Sequence, residues 1–443
     1  MWGMVFLDGN QVDDLKDKFQ GGIKDVEEDQ DWGEDTAIKF EDSGLLKRAG
    51  LTWEKQDWTG IKDAPFHDLI QVSQYKTDPE TPLSKFRDYV HEKRSGEDTY
   101  IYVVDQGVEI DVEEDDGSKV FDGLIDKSMI LQTDASEKAG HKRETDQGSR
   151  GHGTMVAAKA SSAKYGVAKK ANIIPVKAMN GQFNSEAAWQ LIFDDLKAHP
   201  DRAKKSVIVS CVRQGAGLGS EMARSQPRGQ RLLEAFRKIH DLGVPIVFAA
   251  GNARVPDPRN PGKALSRDGV DMIPYTLEGQ DCPLIVVGAA SRDGTLWPEG
   301  QRGPHVTIFA PGEKIATHDK NKGSTVTADG TSGAAPIVAG LIATYMNYDP
   351  PPWGQVEMGR ERVEKIKEFL KKDETSWERN TGERIIWNGA DKAAHDSVGG
   401  LVCKRRVSKR TLDPRAQAIK DFLQPVEVLM MRDMKYASSL ASS

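Results

Sequence analysis

Five short runs of β-branched and aromatic residues constrain this chain most: Thr99–Val104, Asn172–Lys177, Ser206–Ser210, Pro245–Ala249 and Pro283–Gly288. Each is apolar nearly throughout, without the alternation of a strand that has one wet face. Helical patterns, Ala187–Leu196 and Arg231–His240, fall between them. Apolar strands separated by helices predict an α/β fold, a doubly wound and mostly parallel sheet with helices on both faces. In such sheets the chemistry collects beyond the carboxyl ends of the strands.

Four segments at such ends carry reactive residue types. Asp105 closes the first run and is followed by a glycine turn, Gln106-Gly107; a carboxylate there is placed to orient another side chain. In Ser149-Arg-Gly-His-Gly-Thr154, His152 stands between two glycines at a predicted helix start, sterically open as a general base must be. The fourth run leads into Ala249-Ala-Gly-Asn252, where Asn252 is either an ordinary turn asparagine or an amide donor aimed at a developing oxyanion. In Asp329-Gly-Thr-Ser-Gly-Ala-Ala-Pro336, a tight turn feeds an apolar helix that continues to Thr344. Ser332 at its start is either a helix cap or a nucleophile beside unpaired backbone N–H groups.

These four segments, in this order, resemble the subtilisin-like serine proteases, the subtilases, and their proteinase K-like fungal branch. The resemblance covers about residues 99–348. It implies a catalytic triad of Asp105, His152 and Ser332, with Asn252 and the Ser332 N–H forming an oxyanion hole. It also implies substrate-binding roles for Cys211, Val212, Arg213, Gln214, Ala250 and Gly251. In relatives a serine, an apolar residue and two glycines stand after the third strand. Here Cys211 takes the place of the serine, and Arg213 and Gln214 those of the glycines, unless Gly215 and Gly217 assume the glycine roles in a shifted loop. Ile337 stands where many members carry a histidine, and Phe309 is expected in the core. The implied function is a serine endopeptidase working through an acyl-enzyme. The altered cleft leaves two alternatives: a weakly active or inactive binding protein of the same fold, or a narrow-specificity processing protease. A hydrolase with a nucleophile elbow is disfavoured by the order of the residues.

The rest of the chain bounds this reading. Among 443 residues, 61 basic side chains are set against 68 acidic ones, a net charge of −7, which argues against nucleic acid as a partner. No apolar run is long enough to span a membrane, and the start of the chain lacks signal-peptide features. A polypeptide substrate and a monomer are expected. Cys211, Cys282 and Cys403 make no closed disulfide framework, which favours a reducing, intracellular setting over a secreted one. The chemistry needs no cofactor and no metal. A structural calcium ion would suit the oxygen-rich stretch from Glu109 to Asp116, but its spacing matches no ordered ligand template, so a solvated acidic insertion is preferred.

Four divisions follow. Residues 1–98 form a separate region, accessory or propeptide-like, with a strand at Val5–Leu7, helices at Asn10–Phe19 and Thr81–Val90, and Trp32, Trp53 and Trp58 in loops around an acidic stretch, 24–44. Its Lys93-Arg94 pair is either a processing site or a solvated helix end. Residues 99–348 form the catalytic domain. Residues 349–390 add a helix, Arg360–Leu370, and a strand with an Asn-Gly turn. Residues 391–443 are a tail with basic clusters at Lys404–Arg406 and Lys409-Arg410.

Overall fold

A computed structural model describes residues 51–56, 66–76, 86–180, 182–183, 185–212, 219–260, 263–321, 323–380 and 382–399. All fall within one compact unit, Asp42–Lys404. The expectations for Val5–Leu7, Asn10–Phe19, the 24–44 stretch, Trp32, Trp58, Cys403 and the two basic clusters lie outside the described residues.

The apolar runs form the centre of a nine-stranded sheet. Its strands are β1 (Tyr100–Asp105), β2 (Leu131–Gln132), β3 (Asn172–Lys177), β4 (Ser206–Ser210), β5 (Ile246–Ala249), β6 (Ile285–Ala290), β7 (Ile308–Pro311), β8 (Ser376–Glu378) and β9 (Arg384–Ile386). Across the sheet the order is β8-β9-β7-β6-β5-β4-β1-β3-β2. Every pairing is parallel except β8 with β9. This is the doubly wound arrangement expected from the sequence.

Strand alternation divides the core into two layers. Ile101, Val103, Val247 and Ala249 face one side of the sheet, together with helices α1 (His152–Ala160) and α4 (Thr331–Tyr345). Tyr102, Val104, Ile246, Phe248 and Ala250 face the other, with α2 (Ser185–Ala198) and α3 (Pro227–Asp241). Helix α4 is apolar around its whole circumference because it crosses under β4, β5, β6 and β7 while packing on α1. From Ala334 to Tyr345 every one of its residues is buried. The expected Arg360–Leu370 helix is α5 (Arg360–Phe369), and Phe309 is buried beside Ala290 and Ile385.

Several expectations are corrected. Trp53 begins a strand, Trp53–Gln56, paired antiparallel with Tyr89–Glu92. Tyr89 and Val90 therefore belong to a strand and not to the end of a helix, because Val90 and Tyr89 are buried on opposite sides of that ribbon, in separate clusters. The boundary at residue 98 does not separate the described part of 51–98 from the rest, since Phe66, Leu69, Val72 and Phe86 join the same cluster as α1 and α4. The tail expected from residue 391 begins with a helix, Lys392–Ser397, whose Ala394 and His395 are buried. In the acidic insertion, Glu114 is buried and accepts hydrogen bonds from Lys164 Nζ (2.6 Å) and Tyr165 Oη (2.9 Å), with His318 Nδ1 at 3.0 Å.

Ile337, fully buried on α4, tests the packing. Ile337→Ala removes methyl groups from a site closed on all sides and is expected to cost about 2–5 kcal/mol, read from denaturant unfolding with the slope unchanged.

Candidate active site

The carboxyl ends of β1 and β5 and the starts of α1 and α4 meet around one cavity of about 650 Å³. Asp105, the last residue of β1, is fully buried. Its Oδ2 lies 2.8 Å from His152 Nδ1, and its Oδ1 accepts the Gln106 N–H at 2.8 Å. The imidazole is 40% exposed, so one edge is held and the other faces the cavity. Gly153 permits this contact: a Cβ there would fall 2.1 Å from Gly107 O and 2.9 Å from Asp105 Cβ. The second glycine of Gly-His-Gly thus lets α1 approach the end of β1, beyond keeping the histidine accessible.

A second carboxylate supports the first. Asp146, buried in the loop before α1, accepts the Thr154 N–H and Oγ1–H with Oδ2 and the Gly148 N–H with Oδ1, all at 2.8 Å. It ties the polar loop to the first turn of the histidine helix. Burial, and then the charge of Asp105, hold its pKa above the ordinary carboxylate value. The charge of Asp105 is the largest influence on His152, with a further push from Asp146, and together they overcome desolvation to raise its pKa to about 9.

Ser332 is the second residue of α4 and, with His152, Asn252 and Gly333, lines the same cavity. Gly330 precedes the helix at φ 134°, where L side chains are strained, and a Cβ there would sit 2.6 Å from Asn252 Nδ2. Asn252 Oδ1 accepts from Thr331 N (2.9 Å) and Thr331 Oγ1 (2.7 Å). The Thr331 N–H can only donate, so the oxygen of the amide must face it and Nδ2 is left as a donor toward the cavity. The Ser332 N–H belongs to the first helical turn, which has no acceptor within the helix.

Pro336 explains Cys211. In an α-helix the N–H of residue 336 would bond the carbonyl of residue 332, and proline has no N–H. The Cys211 thiol reaches the Ser332 carbonyl instead, at 3.6 Å. Burial, and then Asp105, hold its pKa well above the ordinary thiol value, so it stays protonated as a donor.

Val212, Ala249, Gly251, Met272 and Tyr275 line the cavity beside Ser332. Ala250, just beyond β5, is not among them: its side chain joins the opposite core layer, and its N–H bonds Val287 O. Arg213 and Gln214 lie outside the described residues. Among the described residues there is no cluster of His, Cys, Asp or Glu able to hold a metal ion, and no helix long and apolar enough to cross a membrane. Sequence reading missed Asp146, Thr331, Met272 and Tyr275. Only Thr331, adjacent to Ser332, carried a local signal.

Comparison with known proteins decides the family. The profile of the subtilase family matches residues 96–385. The chain belongs to the subtilase family. It is 25% identical over 391 residues to subtilisin-like proteinase Spm1 of Pyricularia oryzae, covering 86% of this chain and 66% of that protein. It is 28% identical to subtilisin-like protease 2 of Arthroderma otae (68% and 61% covered) and 28% identical to alkaline protease 1 of Aspergillus flavus (68% and 64%). The chain thus spans just under two thirds of the length of these relatives. The crystal structure of a cold-adapted subtilisin-like serine proteinase shares the fold, with a TM-score of 0.52 at 21% identity over 74% of this chain and 99% of that one.

The charges around this subtilase's histidine give a direct test. By NMR titration, the His152 imidazole should titrate near 9, and Asp146→Asn should lower that value by removing one of the charges that raise it. Asp105→Asn should lower it further, to the ordinary 6.5 or below. An unchanged titration in both variants would contradict the electrostatics described.

Proposed function

We propose that this subtilase is a serine endopeptidase in which Ser332 is the nucleophile, His152 the general base and Asp105 the residue that orients it. The observation that carries this reading is the 2.8 Å contact between Asp105 and an imidazole whose other edge opens onto the cavity lined by Ser332. His152 Nε2 takes the proton of Ser332 Oγ as Oγ bonds to the substrate carbonyl carbon. The carbonyl oxygen gains negative charge and is met by Asn252 Nδ2 and the Ser332 N–H. The imidazolium returns the proton to the leaving amine, which departs and leaves an acyl-enzyme. Water, deprotonated by the same imidazole, releases the acid and restores Ser332.

No step in this sequence calls on a cofactor. The Cys211 thiol fixes the Ser332 carbonyl and takes no part as a nucleophile. Val212, Gly251, Met272 and Tyr275 form a largely apolar wall for a substrate side chain. A polypeptide substrate follows from the reaction class. The chain is proposed to act as a monomer, without nucleic acid, and residues 99–348 to carry the chemistry.

The pH dependence has a definite sign. His152 must be neutral to accept a proton, so kcat/KM should rise with pH through a value near 9. The stabilising part of the Asp105 contact runs the other way. A histidine whose folded pKa is raised contributes stability that is complete below about 6.5 and is lost as pH rises through about 9. Activity and this increment of stability are therefore favoured at opposite ends of the range.

Hydrolysis of an unfolded protein substrate across pH 5 to 10 tests the proposal. Ser332→Ala should abolish it with the circular dichroism spectrum unchanged; persistent cleavage by that variant would refute the assignment. The oxyanion-hole asparagine of subtilisin is itself the reference case for loss of such a donor, about 10²–10³ in kcat, and Asn252→Ala is expected in that range.

A further inference from the structure

The region before β1 is built into the molecule from two sides. Asp68, on the short helix His67–Val72, is 2% exposed and pairs through Oδ2 with Nζ of Lys159, which is 1% exposed. Lys159 lies on α1, about two turns beyond His152. Asp68 is thus the counter-ion of a lysine buried inside the histidine helix. Gln71 Nε2 donates to Ser291 O (3.1 Å), just after β6, and Tyr89 Oη donates to Val167 O (3.1 Å). From the opposite side, Arg379 donates to Gln74 Oε1 (2.6 Å) and Gln71 O (2.9 Å), and Trp377 Nε1 to Gln74 O (3.3 Å). Asn388 donates to Val72 O and Val90 O, and His395 Nε2 lies 2.7 Å from Ser73 O. The segment therefore lies between the catalytic layers and the 376–395 region, with hydrogen bonds to each.

The backbone at Lys93-Arg94 is equally engaged. The Lys93 N–H bonds Thr52 O (2.8 Å), and Glu92 Oε2 accepts the N–H groups of Arg94 (2.8 Å) and Ser95 (3.0 Å). Ser95 Oγ donates to Val167 O (2.9 Å), and Ser95 O accepts the Lys170 N–H (3.0 Å). A processing protease needs an extended, unpaired stretch of backbone. This pair presents exposed side chains on a backbone tied at each residue.

We propose that residues 66–95 are a permanent part of this protein and not a removable prosegment, and that Asp68 within them is the fixed counter-charge of the helix that carries His152. Stripping the segment would take from Lys159 the carboxylate that offsets its burial, and would open to water the apolar cluster that Leu69, Val72 and Phe86 share with α1 and α4. The proposal does not rest on the hydrolytic reading, because association and melting temperature test it.

In the full chain, a recognition site for an unrelated protease is placed within residues 77–85 and cut after folding. The piece carrying residues 66–76 should co-elute with the rest on gel filtration in native buffer. Asp68→Leu should lower the melting temperature by about 5–10 °C, and Asp68→Leu with Lys159→Met should recover more than half of that loss, since replacing both partners of a buried pair removes the stranded charge. A piece that separates and leaves a chain with an unchanged melting temperature would overturn the proposal. So would a piece that inhibits while bound, with peptide hydrolysis rising when it is removed. A double variant no more stable than Asp68→Leu would overturn the counter-ion role.

Discussion

A carboxylate with no exposure to water cannot stay charged in a protein interior without a partner. Asp105 is such a carboxylate, and the site is arranged around satisfying it. The end of β1 supplies the charge, the Gln106 N–H holds one oxygen, and His152 meets the other. That last contact needs α1 to approach the strand end closely, which requires Gly153. It also needs the first turn of α1 to be held in place, which Asp146 does through Thr154. Helix α4, buried against four strands and against α1, then sets Ser332 on the wall of the same cavity. Sheet, helices and loop contribute to one aim, the orientation of a single imidazole.

The parts most legible in the sequence were those written in local pattern. The apolar runs announced the parallel sheet because strands buried on both faces have no polar positions. Asp105, His152, Asn252 and Ser332 were legible because each sits at the end of an element, beside small residues that mark a close approach. Cys211 was noticed as a departure, but its reason needed the structure: the acceptor it reaches is freed by Pro336, 125 positions further along (336 − 211 = 125). Asp146 lies in a polar loop of mixed charge that carries no local signal of burial. Glu114 was hidden in the acidic stretch Glu109 to Asp116, which reads as solvated, and its buried partners, Lys164, Tyr165 and His318, come from distant segments.

The misplaced elements failed for a related reason. Tyr89 and Val90 extend a run that fits a helix, yet the strand Trp53–Gln56 pairs with them, and such pairing is decided between segments far apart. The boundary at residue 98 followed a change in composition. Composition cannot reveal that Asp68 is the counter-ion of Lys159, because that pairing joins two positions 91 apart. Ala250 shows the limit on a finer scale. It lies between two cavity-lining residues in sequence, but the twofold period of a strand turns it to the other face.

The account stands on His152 activating Ser332, and covalent labelling measures that directly. The full chain is treated with a fluorophosphonate that traps activated serines, and the adduct is located by peptide mass spectrometry in the native protein and in His152→Ala. A single adduct on Ser332, formed in the native protein and slowed by orders of magnitude in His152→Ala, is the predicted result. Labelling at another residue, or at the same rate in both proteins, would contradict it.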